Sequence, residues 1–274
     1  MRLLGICILV LGLAGSAPAQ PVVNEGGVVN AASFAGGQPV AVGSLVAIFG
    51  SNFAAELAQA DSIPLSTRLG NTRVLFNGIA APLLFVSAGQ INAQLPWEVL
   101  GGGGATSGTA TVVVERAGQT SEPRQFPVVP HAPGIFAFLI QGGQVVGFGT
   151  GQAIAINPDG SLAGPEGSVP GIPTRPARRG EVIQVLATGL GPVNPPAVTG
   201  NNSLDQLRLV QTLPTVLIGG REVSGVAAAM SPQFVGIHQV NVPIPADAPT
   251  GDGIPLQLRM GDITSTDKVT ISIR

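Results

Sequence analysis

Apolar positions along the chain come in short runs. Residues 43–49, 110–115, 180–186, 254–260 and 269–273 are rich in Val, Ile and Leu, and most are bounded by glycine or proline. Runs of this length and punctuation predict strands, and no long segment carries a helical period. Val269-Thr270-Ile271-Ser272-Ile273 alternates as a half-buried strand does. One short helical turn is expected at 54–60, and a less regular strand at 126–129.

The runs repeat in order. Gly43-Ser44-Leu45-Val46-Ala47-Ile48-Phe49 aligns with Gly180-Glu181-Val182-Ile183-Gln184-Val185-Leu186, and each runs into a small-residue turn. Thr72-Arg73-Val74-Leu75-Phe76-Asn77-Gly78 parallels Pro214-Thr215-Val216-Leu217-Ile218-Gly219-Gly220. Asn-Gly and Gly-Gly are hairpin turns because both central residues tolerate positive φ. The third block, Gln90-Ile91-Asn92-Ala93-Gln94-Leu95-Pro96, matches Gln239-Val240-Asn241-Val242-Pro243-Ile244-Pro245. Short strands repeated twice predict an all-β chain of two tandem immunoglobulin-like sandwiches, at 20–130 and 180–274. Between them, residues 131–179 are expected to be a linker carrying a β-hairpin, with a type I turn near Pro158-Asp159.

Composition narrows the function classes. An apolar content of 45% is too high for a disordered Gly- and Pro-rich chain, even with 39 Gly and 24 Pro. A net charge of −2 with a single lysine, Lys268, leaves no basic stripe for nucleic acid. Arg2, the apolar residues 3–13 and Ala17-Pro18-Ala19 read as a signal peptide over 1–19, making Gln20 the mature N-terminus. The apolar run is short for a bilayer span, so export to the medium or cell surface is expected, with no transmembrane segment after cleavage. Cys7 would leave with the signal, so neither a disulfide nor a thiolate metal site is expected.

Several ordered motifs carry a family resemblance. They are Val28-Val29-Asn30-Ala31-Ala32-Ser33-Phe34, Gly43 through Gly50, Ala80-Ala81-Pro82-Leu83-Leu84, Gly89-Gln90-Ile91-Asn92, Ala187-Thr188-Gly189-Leu190-Gly191-Pro192 and Gly236-Ile237-His238-Gln239-Val240-Asn241. Together they resemble the Solibacter-type uncharacterised C-terminal domain family of exported acidobacterial proteins. The single units are similar to IPT/TIG domains, the immunoglobulin-like fold of cell-surface receptors and some transcription factors. The resemblance implies an extracellular or surface β-sandwich module and brings no catalytic residues or cofactor with it.

The candidate chemistry is sparse. A Ser-His-Asp site needs an oriented histidine, and the two histidines, His131 and His238, have no nucleophile motif beside them. A secreted hydrolase is therefore a distant reading. Asp159, Glu166, Asp252 and Asp262 read as solvated turn residues rather than a glycosidase pair. Asp247, Asp252, Asp262 and Asp267 crowd the C-terminal strands, where oxygen ligands for calcium would have to converge. The Gln-Ile-Asn and Gln-Val-Asn pairs are expected to serve the fold, because a shared fold explains a shared motif. The expected role is a non-catalytic adhesion or assembly module with an extracellular protein or polysaccharide partner. A carbohydrate-binding module is the alternative, and Trp97, Phe136 and His238 are its candidate contacts. Specific function is expected where the copies differ, at 131–179 and 229–237.

Overall fold

The structure, a computed structural model, describes residues 19–101 and 105–274. The expected signal peptide, with Cys7, lies outside them apart from Ala19. The described residues form strands and turns without a helix, and none of their segments is a helix able to cross a membrane. They build two tandem sandwiches, as the repeated runs predict.

In the first sandwich, Leu45–Ser51 lies between Val22–Asn30 and Gln90–Gln94, with Leu83–Val86 and Ala58–Gln59 beyond. The facing sheet runs Val40–Ala41, Arg124–Val129, Gly108–Arg116, Thr72–Phe76 and Ile79–Ala80. The second sandwich repeats the plan. Val182–Thr188 pairs with His238–Pro243, and Ala227–Met230 and Leu209–Val210 follow. Thr270–Ile273, Gly251–Met260, Thr215–Ile218 and Arg221–Val223 lie in the facing sheet.

The aligned residues occupy equivalent places. Ala47 faces Asn92 across the first ladder, and Gln184 faces Asn241 across the second. The hairpin turns take positive φ at both central residues, 49° and 82° at Asn77-Gly78 and 56° and 80° at Gly219-Gly220. After Leu45–Ser51 and after Val182–Thr188 comes one left-handed residue, Asn52 or Gly189, and then a fully buried plug, Phe53 or Leu190. At 54–60 the chain forms an edge strand, Ala58–Gln59, instead of the expected helical turn. Seven residues are too few to nucleate a helix without tertiary support, and the open edge of Leu83–Val86 offers backbone partners.

Residues 131–179 do carry hairpins. Ala137–Gln141 pairs with Gln144–Phe148, and Ile156 pairs with Leu162 around a turn closed by Gly160 N donating to Asn157 O at 2.9 Å. The segment is more than a connection. Gly134–Ile135 and Ala155–Ile156 pair antiparallel with Val182–Thr188, and Gln152–Ala153 pairs parallel with Thr270–Ile273. In the first sandwich Val22–Asn30 and Val40–Ala41 hold those same two positions. The segment thus supplies the opening strands of the second sandwich.

Each sandwich has its own core. Phe53, Phe76, Ile48, Leu83 and Ile91 anchor the first, and Ile183, Leu190, Ile218 and Leu256 anchor the second. A third apolar cluster joins them: Val29, Ala31, Ala32, Leu45, Ala47 and Phe136, with Leu186, Ile154 and Ile237 packed against it.

Candidate functional site

The third cluster arises from one strand buried on both faces. Val46 and Ile48 point into the first core, while Leu45 and Ala47 point into the cluster between the sandwiches. Residues 45–49 are accordingly apolar without interruption, as a doubly buried strand must be. Its counterpart alternates, with Ile183 and Val185 buried and Val182 and Gln184 exposed, because only one of its faces is covered at those positions.

Hydrogen bonds clasp the junction. The Asn30 Nδ2 donates to Ala132 O at 2.8 Å, and its Oδ1 accepts from Ala32 N at 2.8 Å. Thr188 Oγ1 accepts from Leu45 N at 3.0 Å and donates to Gly236 O at 2.8 Å. Gln94 is fully buried: its Nε2 donates to Gly43 O at 3.2 Å, and its Oε1 accepts from Gly200 N at 2.7 Å. Each bond satisfies a backbone group that a strand end would otherwise leave unpaired in a dry place. Losing one partner costs about 1–3 kcal/mol.

Glycine permits the close approach. A Cβ at Gly189 (φ +78°) would sit 2.0 Å from Ala132 O, and one at Gly236 (φ +68°) 2.9 Å from Leu45 Cδ2. Most of the motifs that carry the family resemblance therefore meet here. Val28 to Phe34, Gly43 to Gly50, Ala187 to Pro192 and Gly236 to Asn241 all send residues to the junction. The segment 229–237, expected to hold specific function, holds the second sandwich to Leu45.

Trp97 packs against both sandwich cores, with a Cβ at Gly43 only 2.2 Å from its ring. Its backbone N–H donates to Thr199 Oγ1 at 3.1 Å. The ring also lines a groove of about 320 Å³ with Val42, Pro192, Val193, Pro196 and Ala197. Phe136 is buried in the third cluster and His238 is fully buried. Neither reaches solvent to stack on a sugar. Of the three candidate contacts, only Trp97 keeps partial exposure beside a groove.

His238 points into the second core between Ala187 and Met230 in the ladder. Burial pushes its pKa down to about 4, and the adjacent Gly191 backbone offsets this only in part. Neither ring nitrogen finds a partner of good geometry. His131 Nδ1 lies 3.0 Å from Leu190 O; a carbonyl can only accept, so Nδ1 carries the proton.

Several of the acids are tied to arginines. Arg175 bonds Asp159 at 2.6 Å and Glu181 at 2.9 Å, which lowers both carboxyl pKa values. Asp252 pairs with Arg274 at 2.8 Å, and Asp247 lies 3.7 Å from Arg221. Among the described residues no three His, Cys, Asp or Glu gather as a metal would require. The four C-terminal aspartates do not converge.

The Gln/Asn pairs make the same bond in each copy. Gln90 Nε2 donates to Asn92 Oδ1 at 2.8 Å, and Gln239 Nε2 to Asn241 Oδ1 at 2.9 Å. The amides of each motif pair with each other, since residues two apart share a strand face.

One exposed region escaped the sequence reading. In the loop 195–213, Val198, Leu204, Leu207, Leu209 and Leu213 are between 51% and 75% exposed. The loop is ordered from beneath by buried Arg208, which donates to Asp205 Oδ1 at 2.6 Å and Oδ2 at 2.9 Å and to Pro196 O at 3.1 Å. The guanidinium holds the Asp205 pKa down to about 2. Bidentate geometry fixes the loop's shape and cancels its only charges. Four leucines within ten residues are the signal the sequence offered, and their exposure could not be read from it.

No curated protein matches the chain. Residues 28–128 match the family model of the IPT/TIG domain, a generally non-catalytic immunoglobulin-like module with binding or structural roles; the match spans most of the first sandwich, from the Val28-Val29-Asn30 motif to the end of its last strand.

Proposed function

We propose that the protein is a non-catalytic exported binding module that engages a protein partner through the loop 195–213, with the two clasped sandwiches as its mount. The observation that carries this reading is the aliphatic surface held open by buried Arg208. Exposed leucines cost solubility, and five large aliphatic side chains exposed within one segment point to an interaction site. The surface is aliphatic and its Asp205–Arg208 charges cancel each other, which fits an apolar protein face better than a sugar or a charged polymer. The apolar run and Ala17-Pro18-Ala19 pattern support export, and the ordered motifs support kinship with the Solibacter-type modules. Mass spectrometry of the native medium and cell surface should find a chain beginning at Gln20. A doubly substituted Leu204→Asp, Leu207→Asp protein should keep its circular dichroism and melting temperature but lose partners cross-linked by the wild type. An unchanged cross-link pattern would remove the loop from consideration.

The carbohydrate reading rests on the groove beside Trp97. Titration of the sole tryptophan's fluorescence with oligosaccharides tests it, and a flat response across a polysaccharide panel discards it.

A further inference from the structure

Every sheet in the molecule has two edges, and the edges are treated differently. An open edge presents unpaired N–H and C=O groups to any passing strand, and proteins ordinarily blunt it by shortness, charge, proline or a bulge. Here Ala58–Gln59, Val40–Ala41, Ile79–Ala80, Thr174–Arg175 and Val193–Asn194 are two-residue edges, too short to recruit a partner. Val22–Asn30 carries Glu25 and a register shift, and Arg221–Val223 carries Arg221 and Glu222.

The remaining edge is Gln144–Phe148, which ends the sheet of Ala137–Gln141, Gln152–Ala153 and Thr270–Ile273 and pairs, among the described residues, only with Ala137–Gln141. It has five residues and no charge. No Asp, Glu, Lys or Arg occurs between Arg124 and Asp159. Val145, Val146 and Phe148 are 38%, 53% and 54% exposed, and Phe148 stacks on Phe138 with ring centroids 5.7 Å apart. The two-residue turn Gly142-Gly143 closes on the pair Gln141–Gln144, so Val145 turns its own N–H and C=O to the open side. The strand does carry a bulge: Ile140 faces Val145 and Leu139 faces Gly147, so Val146 is the extra residue, and this edge has that device without any charge beside it.

We propose that this edge is an assembly site, occupied by the same edge of a second copy in an antiparallel pairing about a two-fold axis. The free N–H and C=O of Val145, beside the bulge residue Val146, select a strand as the occupant. The absence of charge selects a copy of itself: a two-fold contact sets each residue against its own kind, and an uncharged strand meets no like-charge repulsion there. The pairing joins two sheets into one across the axis and brings the exposed Val146 and Phe148 of both copies out of water.

The test is the oligomeric state of the purified protein by sedimentation, followed by hydrogen exchange. The wild type should sediment at twice the monomer mass at micromolar concentration, with little dependence on salt. Val146→Lys should weaken the dimer at least tenfold, and Leu57→Lys, exposed on the first sandwich, should leave it unchanged. Exchange at the Val145 amide should slow as wild-type concentration rises, which needs no variant to fold. A wild-type monomer at several hundred micromolar, a dimer indifferent to Val146→Lys, or Val145 exchange independent of concentration would each overturn the proposal. None of these outcomes depends on the loop 195–213, so the two readings fail separately.

Discussion

The two sandwiches share a strand plan and a register, yet the same structural position does different work in each. Asn52 and Gly189 both take the left-handed turn after the matching strands Leu45–Ser51 and Val182–Thr188, at φ 59° and 78°. Asn52 is partly exposed, and its Nδ2 donates to Gln20 O at 3.0 Å. Gly189 is pressed against Ala132 at the junction, with no room for a Cβ. Gly89 and His238 form a second such pair, one a turn residue and the other a buried imidazole. Where the copies agree, the residues serve the sandwich. Where they differ, Gly189 lets the second copy close on the junction, and His238 fills the second core.

The largest expected effect tests that contrast directly. Gly189→Ala should cost about 4 kcal/mol or more, from the positive φ and the collision with Ala132 O, whereas Asn52→Gly should stay within about 1 kcal/mol. Urea denaturation of the two variants measures both. Equal effects would mean that the junction imposes nothing beyond the local turn.

Trp97→Ala follows, at about 3 kcal/mol, since the ring packs on both cores. In the wild type, tryptophan fluorescence and far-ultraviolet circular dichroism should report one coincident unfolding transition, because the third cluster and its hydrogen bonds couple the sandwiches. Two separated transitions would show that each sandwich melts alone.

His238 predicts an acid response confined to the second copy. Its folded pKa of about 4 lies below the ordinary value of 6.5. The unfolded chain therefore takes up a proton first as pH falls, and folding stability declines from about pH 6.5 down to about pH 4, then levels. Between pH 7 and pH 4.5 this residue accounts for a loss of about 2–3 kcal/mol. His238→Leu should flatten that part of the stability–pH curve by this amount, and an unchanged slope would show that the imidazole is not held neutral.

The smallest effects separate Gln94 from its neighbours. Gln94→Ala strands Gly200 N and Gly43 O in the dry junction and should cost about 2 kcal/mol. Gln90→Ala and Gln239→Ala lose only a half-buried amide pair and should each cost about 0.5 kcal/mol in the same denaturation assay. A Gln239→Ala cost matching that of Gln94 would give the repeated motif a larger structural role than its geometry supports.

The strand runs, both hairpin turns, the repeat register and the two-sandwich fold were legible in the chain. They follow from period, apolarity and positive-φ chemistry, which act within a few residues. The opening strands of the second sandwich were not legible, because strands of two residues, such as Gly134–Ile135 and Gln152–Ala153, carry no period. The unbroken apolar run at 45–49 did hold a clue to burial on both faces, one that alternating 182–186 lacks. Phe136 and His238 looked like candidate contacts because residue type alone does not say which side of a sheet is covered.

By itself, then, the sequence determined which segments are strands and that they come twice. Only the tertiary structure decided that Asn30, Gln94 and Thr188 join the copies, that Arg208 holds its leucines outward, and that one sheet edge stands open. The physical reason is range. Backbone preference and alternation are local and written residue by residue, whereas burial and hydrogen-bond partnership join residues about a hundred positions apart, as Asn30 joins Ala132 and Gln94 joins Gly200.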